Sequence, residues 1–235
     1  TMKTKLFLAL CLVMIIVSAC SNNNDEPANR VDPKDVKAKS ASFPASAYDS
    51  WVFVNLENGD TAIRKDVNEW EYHQIIVENG KYKRNADGSL AYEVTKTVKA
   101  GTPNEPKTWH LAFHVYDVRT NGGEAMITKE TMLDKVKLTD LTSGTYEADK
   151  DIFIVVDMAG MQKNLMGYSK GKANLVLGKW LTSVGMPPKR TLSDKVFVVK
   201  FKDGSYALLK FNDYLDDTGK QKMIKFDYKL IKKNA

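Results

Sequence analysis

The sequence predicts a mostly β protein with an antiparallel sandwich or barrel-like fold. Most segments after about residue 42 alternate apolar and polar residues with a period of two, as half-buried strands do. Several of these segments turn at Asn-Gly or Asp-Gly dipeptides, which are strong hairpin signals. Windows with the 3.6-residue period of a helix are few, so the strands follow one another at intervals typical of a sandwich or barrel.

Two hairpins have the clearest signals. Val196–Phe211 predicts two strands around Asp203-Gly204, and Trp51–Arg64 predicts two strands around Asn58-Gly59. Further single strands are predicted at Trp109–Arg119, Asp151–Met158, Ala173–Trp180 and Met223–Ile231.

Two segments between these strands have a different character. Residues 74–106 read as an elaborated hairpin region that contains an Asp87-Gly88 turn and a loop at Gly101–Pro106. Residues 127–138 have room for one helical turn, and no long helix is expected.

The N-terminus is typical of a secreted lipoprotein. Lys3 and Lys5 precede the apolar run Leu6–Val17, whose 12 residues are too few to span a bilayer, which takes about 20. The run ends in Val-Ser-Ala-Cys20, which resembles a bacterial lipobox. We expect cleavage before Cys20 and acylation of that residue.

These features divide the chain into three parts. Residues 1–19 are the predicted signal peptide, residues 20–41 a polar, flexible tether, and residues 42–235 one globular domain. Cys11 lies in the signal peptide and Cys20 would be acylated, so disulfides, thiolate metal ligands and cysteine nucleophiles are excluded. Removal of the signal peptide lowers the formal net charge from +6 to +4, and no basic tract favours nucleic acid as a partner.

Known catalytic motifs are absent from the sequence. It has no zinc-protease HExxH, no GxSxG and no phosphate-binding glycine loop. His110 and His114, if both lie on one strand, would be about 13 Å apart, too far to chelate one ion. Asp213, Asp216 and Asp217 lack the EF-hand spacing and favour a solvated turn. The protein is therefore not expected to be an enzyme, although carboxylates from distant segments leave a hydrolase as a minor alternative.

Methionine is concentrated in one turn-rich part of the chain. Of the seven methionines among the 216 residues from Cys20 onward, four lie in the 29 positions 158–186, where chance would place about one. They are Met158, Met161, Met166 and Met186. A thioether is soft and polarizable and does not titrate, so the cluster indicates packing, a docking surface, or ligation of a soft metal or haem iron. Met161 in a predicted turn and Met186 in a Gly-Met-Pro-Pro stretch fit packing less well.

The segment Trp109–Gly123 is similar to a signature of the HmuY-like haem-binding lipoproteins. The matching positions are Trp109, Ala112, His114, Tyr116, Asp117, Val118, Arg119, Asn121 and Gly123. Tyr48 and Trp51, the segment Leu192–Tyr214 and the strand Lys225–Leu230 agree in order. The resemblance covers most of residues 45–230, with an apparent insertion between about 74 and 106.

The resemblance implies a hand-shaped β fold that grips one haem between two loop-bearing hairpins. The founding type uses two axial histidines, whereas some relatives use methionine pairs, and this chain has no histidine at either ligand position. The second ligand follows a tryptophan, which here is Trp180 followed by Met186. The first lies in the hairpin of residues 155–166. The implied iron ligands are therefore Met186 and Met161, with Met158 and then Met166 as alternatives to Met161.

Other roles follow from the same resemblance. Apolar walls are expected from Tyr168, Trp180, Leu165 and Val184, and cations for the haem propionates from Lys163, Lys170, Lys172, Lys189 and Arg190. His114 belongs to the signature at a structural position and is not expected to bind iron.

The implied protein is a haem-binding lipoprotein anchored at the outer-membrane surface, or released in soluble form. It would capture haem (iron protoporphyrin IX), including haem from host proteins, and pass it to a TonB-dependent outer-membrane haem receptor without catalysis. The alternative is a surface adhesin, or a glycan- or protein-docking lipoprotein, whose methionine loops form a contact patch without haem.

Overall fold

The structure is a computed structural model that describes residues 30–185 and 187–233. The predicted signal peptide, Cys20 and Met186 lie outside the described residues. The strands in the described part are β1 (Lys39–Pro44), β2 (Ser50–Val54), β3 (Thr61–Lys65), β4 (Trp70–Ile75), β5 (Val77–Glu78), β6 (Lys81–Tyr82), β7 (Tyr92–Val98), β8 (Leu111–His114), β9 (Asp117–Thr120), β10 (Glu124–Ile127), β11 (Glu147–Ala148), β12 (Lys150–Asp157), β13 (Leu165–Ala173), β14 (Leu181–Val184), β15 (Lys189–Leu192), β16 (Phe197–Lys200), β17 (Tyr206–Leu215) and β18 (Gln221–Ile231).

The strands form antiparallel sheets, which confirms the predicted fold class. The largest sheet has the order β1-β18-β17-β16-β10-β11. Two four-stranded sheets have the orders β3-β2-β8-β9 and β12-β13-β4-β7, and β14-β15 and β5-β6 are separate pairs. The predicted hairpins at Asn58-Gly59 and Asp203-Gly204 are both present, with glycine at positive φ in each turn.

Helical structure in the described residues is limited to short pieces. α1 spans Leu138–Ser143, and its first turn is capped by the Asp140 carboxylate, which accepts the Lys137 N–H at 2.9 Å. Single 3₁₀ turns occur at Pro33–Asp35, Leu133–Lys135, Met161–Lys163 and Leu177–Trp180. The turn at 133–135 confirms the predicted helical turn. No helix of the described part is both long and apolar enough to cross a membrane.

Three layers explain why β2 is buried along its whole length. One face of β2 and β8 packs against the six-stranded sheet around Phe113, Phe211 and Phe226, all fully buried. The other face packs Trp51 and Phe53 against residues of β12. Burial of each large apolar side chain contributes about 1.5–3 kcal/mol, so this doubly buried strand is a major source of stability.

Two predicted strands are wrong in extent. Trp109–Arg119 is two strands, β8 and β9, joined by a tight turn in which Val115 has φ +53°. Its sequence has no glycine or asparagine to indicate that turn. The strand predicted at Ala173–Trp180 ends at Ala173, because the Asn174 side-chain oxygen accepts the N–H groups of Val176 and Leu177 and starts a 3₁₀ turn.

The N-terminal part of the domain also begins earlier than predicted. β1 starts at Lys39, which pairs with Tyr228, and Arg30 forms a β-bridge with Lys233. The ammonium of Lys229 is buried and donates to the carbonyl of Pro33 at 2.7 Å. Residues 30–41 are thus packed on the domain through backbone bonds, which their polar composition did not indicate.

Three smaller predictions on turns and loops are confirmed. Residues 74–106 form the hairpin of β4 and β7 with β5 and β6 inserted, and Gly88 has φ +84° in the predicted turn. The loop at Gly101–Pro106 has no regular structure. The Asp216 carboxylate accepts the N–H groups of Thr218 and Lys220, as expected of a solvated turn.

Candidate functional site

The first methionine-bearing loop, residues 158–165, joins β12 to β13 and is termed the methionine turn. Its backbone closes on itself: the Met161 N–H donates to the Met158 carbonyl at 3.0 Å and the Leu165 N–H donates to the Gly160 carbonyl at 3.1 Å. A Cβ on Gly160 would lie 2.6 Å from the Leu165 carbonyl oxygen, so this close approach requires glycine. The turn presents Met161 with 52% of its surface exposed.

The second predicted ligand-bearing loop joins β14 to β15. The last residues paired in this hairpin are Val184 and Lys189, and Gly185 has φ +83° at the start of the link. Gly185, Pro187 and Pro188 lie between these two paired residues, and Met186 is outside the described residues.

A cavity of about 450 Å³ lies beside the methionine turn. Its lining residues are Tyr48, Asp49, Trp70, Val156, Asp157, Met158 and Ala159. Of the three methionines of the 158–166 segment, Met158 is the one that lines this cavity. Its wall combines two aromatic rings with a thioether, a surface suited to a flat apolar ligand.

Tyr48 and Tyr116 connect this cavity with the base of the second hairpin. The Lys222 ammonium lies 4.2 Å from the centre of the Tyr48 ring, and the Arg190 guanidinium lies 5.1 Å from the centre of the Tyr116 ring. Burial raises the pKa of Tyr116, while the charge of Arg190 opposes that rise. The charge of Tyr48 also acts on Tyr116, so the two tyrosines lie near one another and link the cavity at Met158 to Arg190 on β15. These residues, with Lys222, are termed the connecting surface.

The carboxylates of this region lie at the cavity, where the Lys65 ammonium is 3.6 Å from the Asp49 carboxylate. Asp49 and Asp157 lie at the Met158 side, where the Tyr72 hydroxyl donates to the Asp157 carboxylate at 2.8 Å and its pKa is raised by that bond. The Lys222 ammonium lies over Tyr48, which lines the same cavity, and Arg190 lies beside Tyr116 on β15. An anionic group on a bound ligand is expected to face these two cations.

His114 positions Tyr48 from beneath. Its imidazole is 1% exposed, with Nε2 2.5 Å from the Tyr48 carbonyl oxygen and Nδ1 3.6 Å from the Asp117 carboxylate. The rest of the signature builds the same corner of the fold. The Arg119 guanidinium lies 4.6 Å from the Trp51 ring and 5.0 Å from the Trp109 ring, so the signature residues mainly support the site.

The structure does not bring Met166 and Tyr168 to the cavity. Met166 pairs with His73 across the strands, and Tyr168 pairs with Glu71. Both therefore lie on the sheet face opposite Trp70, because side chains alternate along β4. There the ring of His73 is 4.9 Å from the Tyr168 ring. Their expected roles next to a haem are not supported by this geometry.

Trp180 also differs from the sequence-based expectation, whereas Lys163 does not. Trp180 is fully buried, stacks on Phe211 at 4.6 Å and donates from Nε1 to the Tyr116 carbonyl at 2.9 Å. It supports the Tyr116 backbone from the core and has no surface for a ligand. Lys163 is exposed on the methionine turn, and Leu165 is half-buried at its end.

Sequence reasoning missed four residues of the connecting surface. Tyr48 and Tyr116 were recognised as matched positions of the family signature but without a role in the site. Trp70 and Lys222 had no signal, because each reaches the site from a strand distant in the sequence. The described residues contain no group of three or more His, Cys, Asp or Glu side chains that would hold a metal ion.

Comparisons with known proteins point to one family. The HmuY protein family model matches residues 47–228. The fold is similar to apo PinO from Porphyromonas gingivitis, with a TM-score of 0.74 and 39% identity over 84% of this chain and 98% of that chain. It is also similar to the apo HmuY analog of Tannerella forsythia, with a TM-score of 0.68 and 36% identity over 83% and 98% of the two chains.

The name of a third similar structure mentions heme binding. It is an HmuY-like heme binding protein, so named, from Bacteroides vulgatus, with a TM-score of 0.60 and 26% identity over 85% of this chain and 94% of that chain. No curated protein matches this sequence.

Proposed function

Because this chain belongs to the HmuY family, whose model matches residues 47–228, we propose that it binds haem between the methionine turn and the β14–β15 hairpin. The observation that supports this most directly is the surface that joins the two hairpins. It begins at the cavity lined by Met158 and continues through Tyr48 and Tyr116 to Arg190.

We propose that one thioether from each hairpin binds the iron. Met186 is the candidate on the second hairpin, and Met158 or Met161 on the first. The sequence favoured Met161 for its place at the turn tip, whereas the cavity favours Met158, which lines it. Thioether ligation raises the reduction potential of haem iron, so the site should prefer ferrous haem.

Aromatic rings and charged side chains would orient the ligand. Trp70, Tyr48 and Tyr116 offer apolar surface to the porphyrin. The propionates would lie near Arg190 and Lys222 and away from Asp49 and Asp157, because like charges repel in a partly desolvated site. Lys163, Lys170, Lys172 and Lys189 would contribute at most at the rim.

The cellular role follows from the predicted anchor. A chain acylated at Cys20 would hold haem at the outer-membrane surface and release it to a TonB-dependent receptor. Host haem proteins are the proposed source of the ligand. Two axial ligands leave no open position on the iron, so we propose carriage without catalysis.

A panel of alanine variants tests the ligands. Ferrous haem should give a saturable Soret change with the wild type and a six-coordinate spectrum. That spectrum should be lost in Met186→Ala and in one of Met158→Ala or Met161→Ala. Met166→Ala is the matched control, because its side chain lies on the opposite face of the sheet, and its spectrum should be unchanged.

Two outcomes would contradict the proposal. Absence of a saturable Soret change in the wild type would favour a docking lipoprotein without haem. A six-coordinate ferrous spectrum in all of the alanine variants would show that the iron ligands lie elsewhere.

A further inference from the structure

The end of β4 and the segment that follows it contact the methionine turn from outside. The Tyr82 hydroxyl donates to the Asn164 side-chain oxygen at 3.1 Å, and the Gln74 side-chain amide donates to the Lys163 carbonyl at 2.8 Å. The Ile75 N–H donates to the Asn164 carbonyl at 2.9 Å. All three bonds end on the two residues that close the turn.

Asn164 is the point through which these contacts reach the methionines. Its backbone is left-handed, with φ +59°, and its N–H donates to the Met161 carbonyl at 3.0 Å. Asparagine tolerates this conformation better than most residues, and its side chain also offers an acceptor. A shift of Asn164 would therefore move Met161 directly.

Tyr82 is itself fixed to the sheet. It pairs with Val77 in the small β5–β6 hairpin, and the next residue, Lys83, donates its N–H to the Ile76 carbonyl at 2.9 Å. The Lys83 carbonyl in turn accepts the Ala91 N–H at 2.9 Å. Tyr82 is 56% exposed, so its orientation is not fixed by burial. The hydrogen bond of its hydroxyl to Asn164 fixes it instead.

We propose that Tyr82 and Gln74 are positioning residues that hold the methionine turn in place for iron binding. This inference rests on the proposed function. A thioether is a weak ligand on a flexible side chain, so its contribution depends on how little freedom the turn must lose when the ligand binds. The inserted segment would supply that order before the ligand arrives, as outer-shell groups do at metal sites.

Release of ferrous haem to an excess of apomyoglobin tests the proposal. Tyr82→Phe removes one hydroxyl and should speed release about two- to tenfold, the range for loss of one hydrogen bond. Asn164→Gly keeps the left-handed backbone but removes the acceptor, and should have a similar effect. The double variant should release haem no faster than the faster single variant, because both changes remove the same bond. Asn164→Asp keeps an acceptor and should restore slow release.

Tyr92→Phe is the matched control. It is the same substitution at the start of β7, but the Tyr92 ring stacks on His73 at 3.8 Å, on the sheet face opposite Trp70. Its rate of release should equal that of the wild type.

A second readout separates positioning from support of the fold. In a Met158→Ala/Met161→Ala background, Tyr82→Phe should leave the rate of haem release unchanged, because no sulfur of the turn remains to be positioned. An equal acceleration in that background would overturn the proposal and assign Tyr82 a purely structural role. Unchanged release by Tyr82→Phe in the wild-type background would also overturn it, while leaving haem binding intact. Failure of the wild type to bind haem would instead refute the proposed function itself.

Discussion

At the scale of single residues, the buried imidazole of His114 supports the backbone of a residue that lines the cavity. His114 joins β8 to the carbonyl of Tyr48, which lines the cavity next to Met158. His114→Ala should lower the free energy of unfolding by about 1–3 kcal/mol, because it leaves a buried carbonyl without its donor. Urea denaturation of the ligand-free protein measures this. A loss well under 1 kcal/mol would show that the contact with Tyr48 carries little of the stability.

His110 links stability to pH. Burial lowers its pKa, and its Nδ1 accepts the Leu56 N–H at 3.2 Å, which requires that nitrogen to be unprotonated. The unfolded chain then binds a proton near pH 6.5 that the folded chain resists, so stability should fall as pH drops below about 6.5. His110→Asn keeps an acceptor at the same place and should flatten this part of the stability profile. The same slope in both proteins would exclude His110 as its source.

The residue scale also shows what sequence can predict about the site. The excess of methionine drew attention to the β12–β13 turn, where the structure exposes Met161 and places Met158 beside a cavity. The role of these side chains toward a ligand stays a prediction. The role of Trp70 and Lys222 had no such signal, because their position next to Tyr48 depends on strand pairings far apart in the chain.

At the scale of secondary-structure elements, the residues in each turn decide whether the turn can be predicted from the sequence. The turns at Asn58-Gly59 and Asp203-Gly204 were predicted correctly because the glycine that adopts positive φ can be recognised in the sequence by its Asn-Gly or Asp-Gly dipeptide. The β8–β9 turn was missed because Val115, a residue that rarely has positive φ, has φ +53° in it. The strands on either side of the turn are joined through the pairing of His114 with Asp117.

The methionine turn gives a prediction of its own. Gly160→Ala places a Cβ 2.6 Å from the Leu165 carbonyl oxygen, so the turn must shift, at a cost of about 1–3 kcal/mol. Affinity for ferrous haem should fall while the remaining sheets keep their β-rich circular dichroism. Gly178→Ala is the control, since no atom lies within 4 Å of its added Cβ. Equal haem affinity in both variants would mean that the turn geometry does not matter for binding.

At the scale of the whole molecule, the described N-terminus and the proposed haem cleft lie at opposite ends of the long strands. Arg30 bridges to Lys233, whereas Tyr48 contacts Lys222 at the start of β18. Eleven residues of extended chain separate Lys222 from Lys233, or about 35 Å. An anchor on the N-terminal side would therefore leave the cleft at the far end of the domain.

Two truncations test where the domain begins. Removal of residues 1–29 should leave the free energy of unfolding nearly unchanged. Removal of residues 1–38 should lower it by about 1–3 kcal/mol, because the Lys229 ammonium loses its bond to the Pro33 carbonyl and keeps its ion pair with Asp134. Thermal and urea unfolding of both variants provide the measurement. Equal stability of the two variants would show that residues 30–38 do not stabilise the domain and belong to the tether that their composition predicts.

We propose that one sulfur atom from each of two hairpins binds the iron of one haem. The absorption spectrum of the haem complex tests this ligation most directly. After reduction with dithionite, the wild type should show tight binding and a low-spin, six-coordinate ferrous spectrum that stays the same from about pH 5.5 to 8, because thioethers do not titrate. A five-coordinate ferrous spectrum, or six-coordination lost as the pH falls through about 6.5, would contradict paired methionines and indicate a histidine ligand.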